Sequence, residues 1–143
     1  MSNCDFLSLD VSGRSIVAAY NDFEGKALNL PSWESFHSRL TATNQFIFRG
    51  FEYPYGIIIK VDNQKDFYLI SFRGTVNYSD AYHDMWSLKS VLFEPFDSNA
   101  NFPDNVYVGS GFWATYVTKG PGNTPSLRDQ LFAFIDNNDV HAL

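Results

Sequence analysis

The run Phe67-Tyr68-Leu69-Ile70-Ser71-Phe72 constrains the fold of this chain more than any other stretch. It is nearly continuous in apolar, strand-forming residues, and it breaks off abruptly into Arg73-Gly74-Thr75. Apolar side chains at consecutive positions of a strand need cover on both faces, which is the pattern of a central strand in a layered α/β sheet. A second β-rich run at 55–61 precedes it across the polar turn Asp62-Asn63-Gln64-Lys65-Asp66. A five-residue polar connection between two such runs reads as a hairpin.

Around this pair the apolar spacing predicts helices. Ile16, Ala19, Tyr20 and Phe23 fall on one face of a helix over 14–24, with Gly25 as its stop. Residues 31–40 read as a short helix or an irregular segment that packs Trp33 and Phe36. A helix from about 79 to 92, capped by Asn77 or Ser79, carries Ala81, Met85, Leu88 and Leu92. Val106 to Val108 reads as a short strand, and Gly111 to Val117 as the opening of another helix. Thr124-Pro125 gives an N-cap and a first-position proline for a helix over 125–136 bearing Leu127, Leu131, Phe134 and Ile135. In 143 residues this order predicts one domain of α/β class, with a 17% aromatic share that suggests a core or groove lined with rings.

The charge pattern narrows the function classes. With a net charge of −6 and ten basic residues scattered singly, the chain has no basic cluster to neutralise nucleic-acid phosphates. The lone Cys4 has no partner for an internal disulfide and belongs to no CxxC motif. The N-terminus lacks a basic leader, and no window approaches a membrane span, so cytoplasmic localisation is the default expectation. Asn77-Tyr78-Ser79 fits a glycosylation sequon, which without a leader reads as coincidence.

Chemistry concentrates where the apolar run ends. Carboxyl ends of strands in open α/β sheets are where ligands bind. Gly74 lets the chain turn sharply, and Thr75 just beyond it offers a backbone N–H and a hydroxyl to an oxygen that gains charge, which is half of an oxyanion hole. Asp84, nine residues on, could accept from the Thr75 hydroxyl and fix its rotamer. The blander alternative makes Gly74 a turn, Thr75 a helix start and Asp84 a solvated charge. Asp80, His83 and Asp84 share one helix face, where a polar surface is the expectation rather than a metal site. Ser110 lies between two glycines, but none of His37, His83 and His141 has a geometric claim on it as a base, and His141 reads as solvated.

Phe72-Arg73-Gly74-Thr75, a hairpin before it and Asp84 after it, together resemble the class 3 (fungal-type) lipases of the α/β-hydrolase fold. Val108-Gly109-Ser110-Gly111-Phe112 with Tyr116 is similar to that family's V-H-x-G-F element, with Gly109 standing where the family has His. The resemblance spans roughly residues 55–140. It implies a partial α/β-hydrolase, with a central, mostly parallel sheet flanked by helices. It also implies hydrolysis of carboxylic esters of lipids, or of aromatic esters as in the feruloyl-esterase branch, through a serine acyl-enzyme. Thr75 would be the oxyanion residue, Asp84 would orient it, and Arg73 and Gly74 would support it, with no cofactor and no metal. The family's nucleophile occupies G-x-S-x-G, and no two of the nine glycines here are four apart. The resemblance places that elbow just past residue 143 and the Asp and His of the triad later still, so the chain is expected to be the N-terminal part of such an enzyme, without turnover of its own. The segment after Thr75, Val-Asn-Tyr-Ser-Asp-Ala-Tyr, is too polar for a lipid-facing lid. The expected partners are an ester substrate and either the missing half or another protein covering the sheet edge beside 67–73. The alternative is an inactive lipase-like module that binds a lipid or a protein.

Overall fold

The computed structural model describes residues 9–44, 51–61, 67–74, 89–93, 105–138 and 140. Helix α1 (Leu9–Phe23) is followed by strands β1 (Glu34–Asn44), β2 (Phe51–Val61) and β3 (Tyr68–Phe72). The short strands β4 (Ser90–Leu92) and β5 (Tyr107–Gly109) lead into α2 (Ser110–Val117), a single 3₁₀ turn (Pro121–Asn123) and α3 (Leu127–Asn137).

The expected partial α/β-hydrolase architecture, with its central and mostly parallel sheet, is not what the chain forms. The main sheet has the order β1-β2-β3, β4 pairs with β5, and every pairing among the described residues is antiparallel. The reason lies in the connections. Parallel neighbours need a crossover of about a dozen or more residues, whereas 45–50 and 62–66 are short enough only to turn the chain back. The hairpin of the 55–61 and 67–73 runs forms in register, with Ile58 opposite Ile70 and Gly56 opposite Phe72. Its second strand is not central, however. The strand paired on both sides is β2, whose Ile57, Ile58 and Ile59 are fully buried.

β2 divides two apolar layers. On one face Ile57 and Ile59 pack with Ala18 and Ala19 of α1. On the other, Ile58 and Leu40 pack with Leu127 and Phe134 of α3. The inward face of α1 is Ser15, Ala18, Ala19 and Asp22 rather than the expected Ile16, Ala19, Tyr20 and Phe23, and Ile16 stays 45% exposed. Small residues win because they let the helix approach the isoleucines closely, and Asp22 then meets Arg39 of β1 at 2.6 and 2.7 Å. That carboxylate pushes the Arg39 guanidinium up from its ordinary range, chiefly through the side-chain hydrogen bond. Gly25 ends α1 as expected: its φ is +68°, its N–H donates to Asp22 O, and Lys26 N–H donates to Asn21 O, the paired bonds of a glycine-terminated helix.

Three further expectations change. Residues 34–40 belong to β1, not to a helix, because they pair with β2 from Glu34 opposite Val61 to Leu40 opposite Gly56. Ser90–Leu92, assigned to the end of a helix, are strand β4. The cap of α3 is Ser126, not Thr124: Ser126 Oγ accepts from Asp129 N–H and Asp129 Oδ2 accepts from Ser126 N–H, a reciprocal capping box. The turn 62–66, residues 79–88 of the expected helix, Cys4 and the sequon at 77–79 lie outside the described residues.

Candidate functional site at the end of the third strand

Arg73, the charge that ends the apolar run, turns inward. It is 3% exposed. Its backbone N–H continues the ladder to Tyr55 O at 3.0 Å. Its Nε donates to Pro54 O at 3.0 Å and its Nη1 to Gly74 O at 2.9 Å. The guanidinium lies 4.2 Å from the ring centre of Phe23, 5.2 Å from Tyr53 and 5.5 Å from Tyr55. A delocalised, weakly hydrated cation can be buried in this way because π faces and carbonyl oxygens both carry negative potential. Arg73 thereby ties α1, β2 and the end of β3 into one unit.

Gly74 is fixed from the other direction by α1. Its N–H donates to Tyr20 Oη at 2.9 Å, and a Cβ at this position would stand 2.5 Å from that oxygen. A larger residue here would have to push the Tyr20 hydroxyl aside. Thr75 and Asp84, the expected oxyanion residue and its orienting carboxylate, lie outside the described residues, as do Asp80 and His83.

Phe72, on the opposite face from Arg73, opens onto a cleft of about 460 Å³. The volume is in the range of small-molecule sites, roughly 300–1,000 Å³. Its walls are the rings of Tyr55, Phe72, Phe93, Phe112, Trp113 and Tyr116, with Val108, Leu127 and Leu131. Two local devices build it. A β-bulge makes Tyr55 an extra residue of β2 opposite β1, since Leu40 pairs with Gly56 and Thr41 with Pro54. Gly56 leaves room for the Phe72 ring, whose Cδ1 lies 2.8 Å from where a Cβ would be. The far wall comes from α2, where Trp113 meets Phe93 edge-on at 5.4 Å and Tyr116 at 6.0 Å. Burial holds the Tyr116 phenol above its ordinary pKa, with Arg128 opposing and Asp129 adding to the shift, so it remains a neutral donor.

Ser110 opens α2 directly after β5, but it is not among the non-glycine residues with positive φ, so the strained backbone of a nucleophile elbow is missing there. His37 is the extra residue of a bulge in β1, and its ring packs edge-on against Tyr68 and Phe134 at 5.2 and 4.9 Å. His83 and His141 lie outside the described residues. A second cavity, of about 540 Å³, runs from His37 and Arg39 to Asp129, Gln130 and Asn138. Of its polar groups, Arg39 is engaged by Asp22, Gln130 by Thr41 and Pro125, and Asn138 by Phe134 O. Among the described residues no group of three or more His, Cys, Asp or Glu gathers as a metal set, and no helix is long and apolar enough to cross a membrane.

Sequence reasoning expected a ring-lined core or groove but did not assemble its walls, and it gave Tyr20, Phe23 and Tyr53 no part in the site. The ring-rich segments 51–55 and 112–116 were the available signal. No family model, curated protein or solved structure matches the chain.

Proposed function

We propose that this chain contributes the oxyanion-stabilising and acyl-binding parts of a carboxylic ester hydrolase of lipase or esterase type, acting on lipid esters by a serine acyl-enzyme route. The observation that supports this is adjacency. Phe72 is a wall of an apolar cleft, and Gly74, two residues further along the chain, is held between two side-chain anchors. In this reading an acyl chain in the cleft brings its carbonyl towards the end of β3. Thr75 is then the donor to the oxygen that becomes charged, and Asp84 fixes the threonine hydroxyl. Removing one such donor typically costs about 2.7–4 kcal/mol of barrier. The 143 residues hold no G-x-S-x-G, so the nucleophile, aspartate and histidine of a triad are not assigned. A fluorophosphonate probe is expected to leave the chain unlabelled, and specific labelling of Ser110 would overturn this account.

A second reading is a lipase-like binding module without turnover, whose cleft and sheet edge take a lipid or a protein. The outer edge of β3, unpaired among the described residues, favours it.

Titration of the ¹⁵N-labelled chain with hexanoate separates the two. The hydrolase reading expects the Thr75 amide and the Trp113 indole to shift along one saturation curve. A response of Trp113 alone supports the binding module, and silence at both sinks both readings.

A further inference from the structure

We propose that the cavity between β1 and α3 binds a neutral, polyhydroxylated ligand of monosaccharide size. This site is independent of the ester reading, because α3 stands between it and the aromatic cleft. Leu127 and Leu131 line the cleft, whereas Gln130, Phe134 and Asn137 line the cavity.

The walls are set by the fold. Gln130 clamps α3 to β1, its Oε1 accepting from Thr41 N–H at 2.9 Å and its Nε2 donating to Thr41 O at 2.9 Å. Further along β1, the bulge at His37 turns the imidazole onto the α3 face of the sheet, where Tyr68 and Phe134 hold it edge-on. Ser38 on one wall and Ala133 on the other are small residues, and the space they leave open belongs to a cavity of about 540 Å³. That volume is in the range of small-molecule sites, roughly 300–1,000 Å³.

The chemistry of the lining selects the ligand. Among the described residues, the His37 ring nitrogens, the Ser38 hydroxyl and the Asn137 amide make no hydrogen bond within the protein. Asn138 uses its Nδ2 on Phe134 O at 2.8 Å and keeps its Oδ1 as an acceptor. Imidazole, hydroxyl and primary amide groups present donors and acceptors side by side, and so does every hydroxyl of a sugar. An anion suits the cavity less well: Asp129 puts a carboxylate in its wall, and Arg39 is turned to Asp22 of α1. Phe134 and Ala133 add an apolar strip, on which the C–H face of a pyranose can pack.

The test titrates the ¹⁵N-labelled chain with glucose, galactose, mannose and xylose in turn, and with inorganic phosphate as the anionic comparison. At least one sugar is expected to shift the Ser38 backbone amide and the Asn137 side-chain amide along one saturation curve. The Trp113 indole should stay still, and phosphate should leave both amides unmoved. His37→Phe keeps a ring between Tyr68 and Phe134 but removes both nitrogens, and Asn137→Ala removes an exposed amide. Each is expected to weaken that sugar about tenfold, as the loss of a neutral hydrogen bond requires. Ala133→Leu, at an exposed helix position, fills the cavity and should abolish the response. Circular dichroism establishes that each variant is folded. Silence toward all four sugars, a phosphate response equal to the sugar's, or sugar shifts at Trp113 in place of Ser38 overturns the proposal. Undiminished binding by both His37→Phe and Asn137→Ala does the same.

Discussion

Replacing Arg73 with methionine keeps the bulk of the side chain but strips the donors from Pro54 O and Gly74 O and the charge from among Phe23, Tyr53 and Tyr55. Hydrogen bonds to charged groups contribute about 1.5–3 kcal/mol each and a desolvated cation–π contact up to about 2, so a net loss of about 3 kcal/mol is expected in urea denaturation. Arg73→Lys should recover less than half of it, because a point charge on a flexible stem cannot stack and reach two carbonyls together. A recovery that is nearly complete would mean that charge alone matters at this position. The run that ends in Arg-Gly-Thr announced from sequence that something special happens at position 73. The direction of the side chain was not legible, because it depends on three rings and an oxygen supplied by residues 23, 53, 55 and 54, which come together only in the folded sheet.

Helix α3 is set by its first turn. The Ser126–Asp129 capping box satisfies donors that no helix can satisfy internally, and Ser126→Ala is expected to cost about 1 kcal/mol. Burial alone raises the Asp129 carboxyl, but the hydrogen bonds from Ser126 and the charges of Lys119 and Arg128 outweigh it and hold the group below its ordinary 3.8. A depressed folded-state value means that the ionised carboxylate favours the folded state. Its contribution is complete above the ordinary aspartate range and is lost as pH falls through the lower folded value. The stability gap between wild type and Asp129→Asn should therefore be open at pH 7 and close under strongly acidic conditions. A gap independent of pH would contradict the assignment. At this scale the sequence was informative about type and less so about detail: α1, α2 and α3 form close to where helices were expected, whereas the inward face of α1 turned because Ala18 and Ala19 fit under the isoleucines and Ile16 does not. The strand at 34–44 escaped because its residues are mostly polar and its extended form rests on pairing with β2 rather than on an apolar pattern of its own.

For the molecule as a whole, the decisive element is β2, paired on both sides and covered by α1 on one face and α3 on the other. Amide hydrogen exchange should be slowest at Ile57, Ile58 and Ile59, which open only on global unfolding, and faster in the short β4–β5 pair. Comparable protection in the two sheets would contradict this hierarchy. The fold class misread from sequence traces to the same strand. A continuous apolar run suggested a central parallel strand, but β3 reaches its cover through the hairpin, and the doubly buried role falls to β2. The cleft was equally hidden, since its rings come from β2, β3, the residue after β4, and α2. Its relation to Arg73 and Gly74 at the end of β3 is the central claim. Intermolecular nuclear Overhauser effects from bound hexanoate test that relation most directly. The account predicts contacts from the terminal methyl to Trp113 and Leu131 and from the methylene beside the carboxylate to Gly74. A reversed orientation, or contacts to His37 and Phe134 in the other cavity, would contradict it.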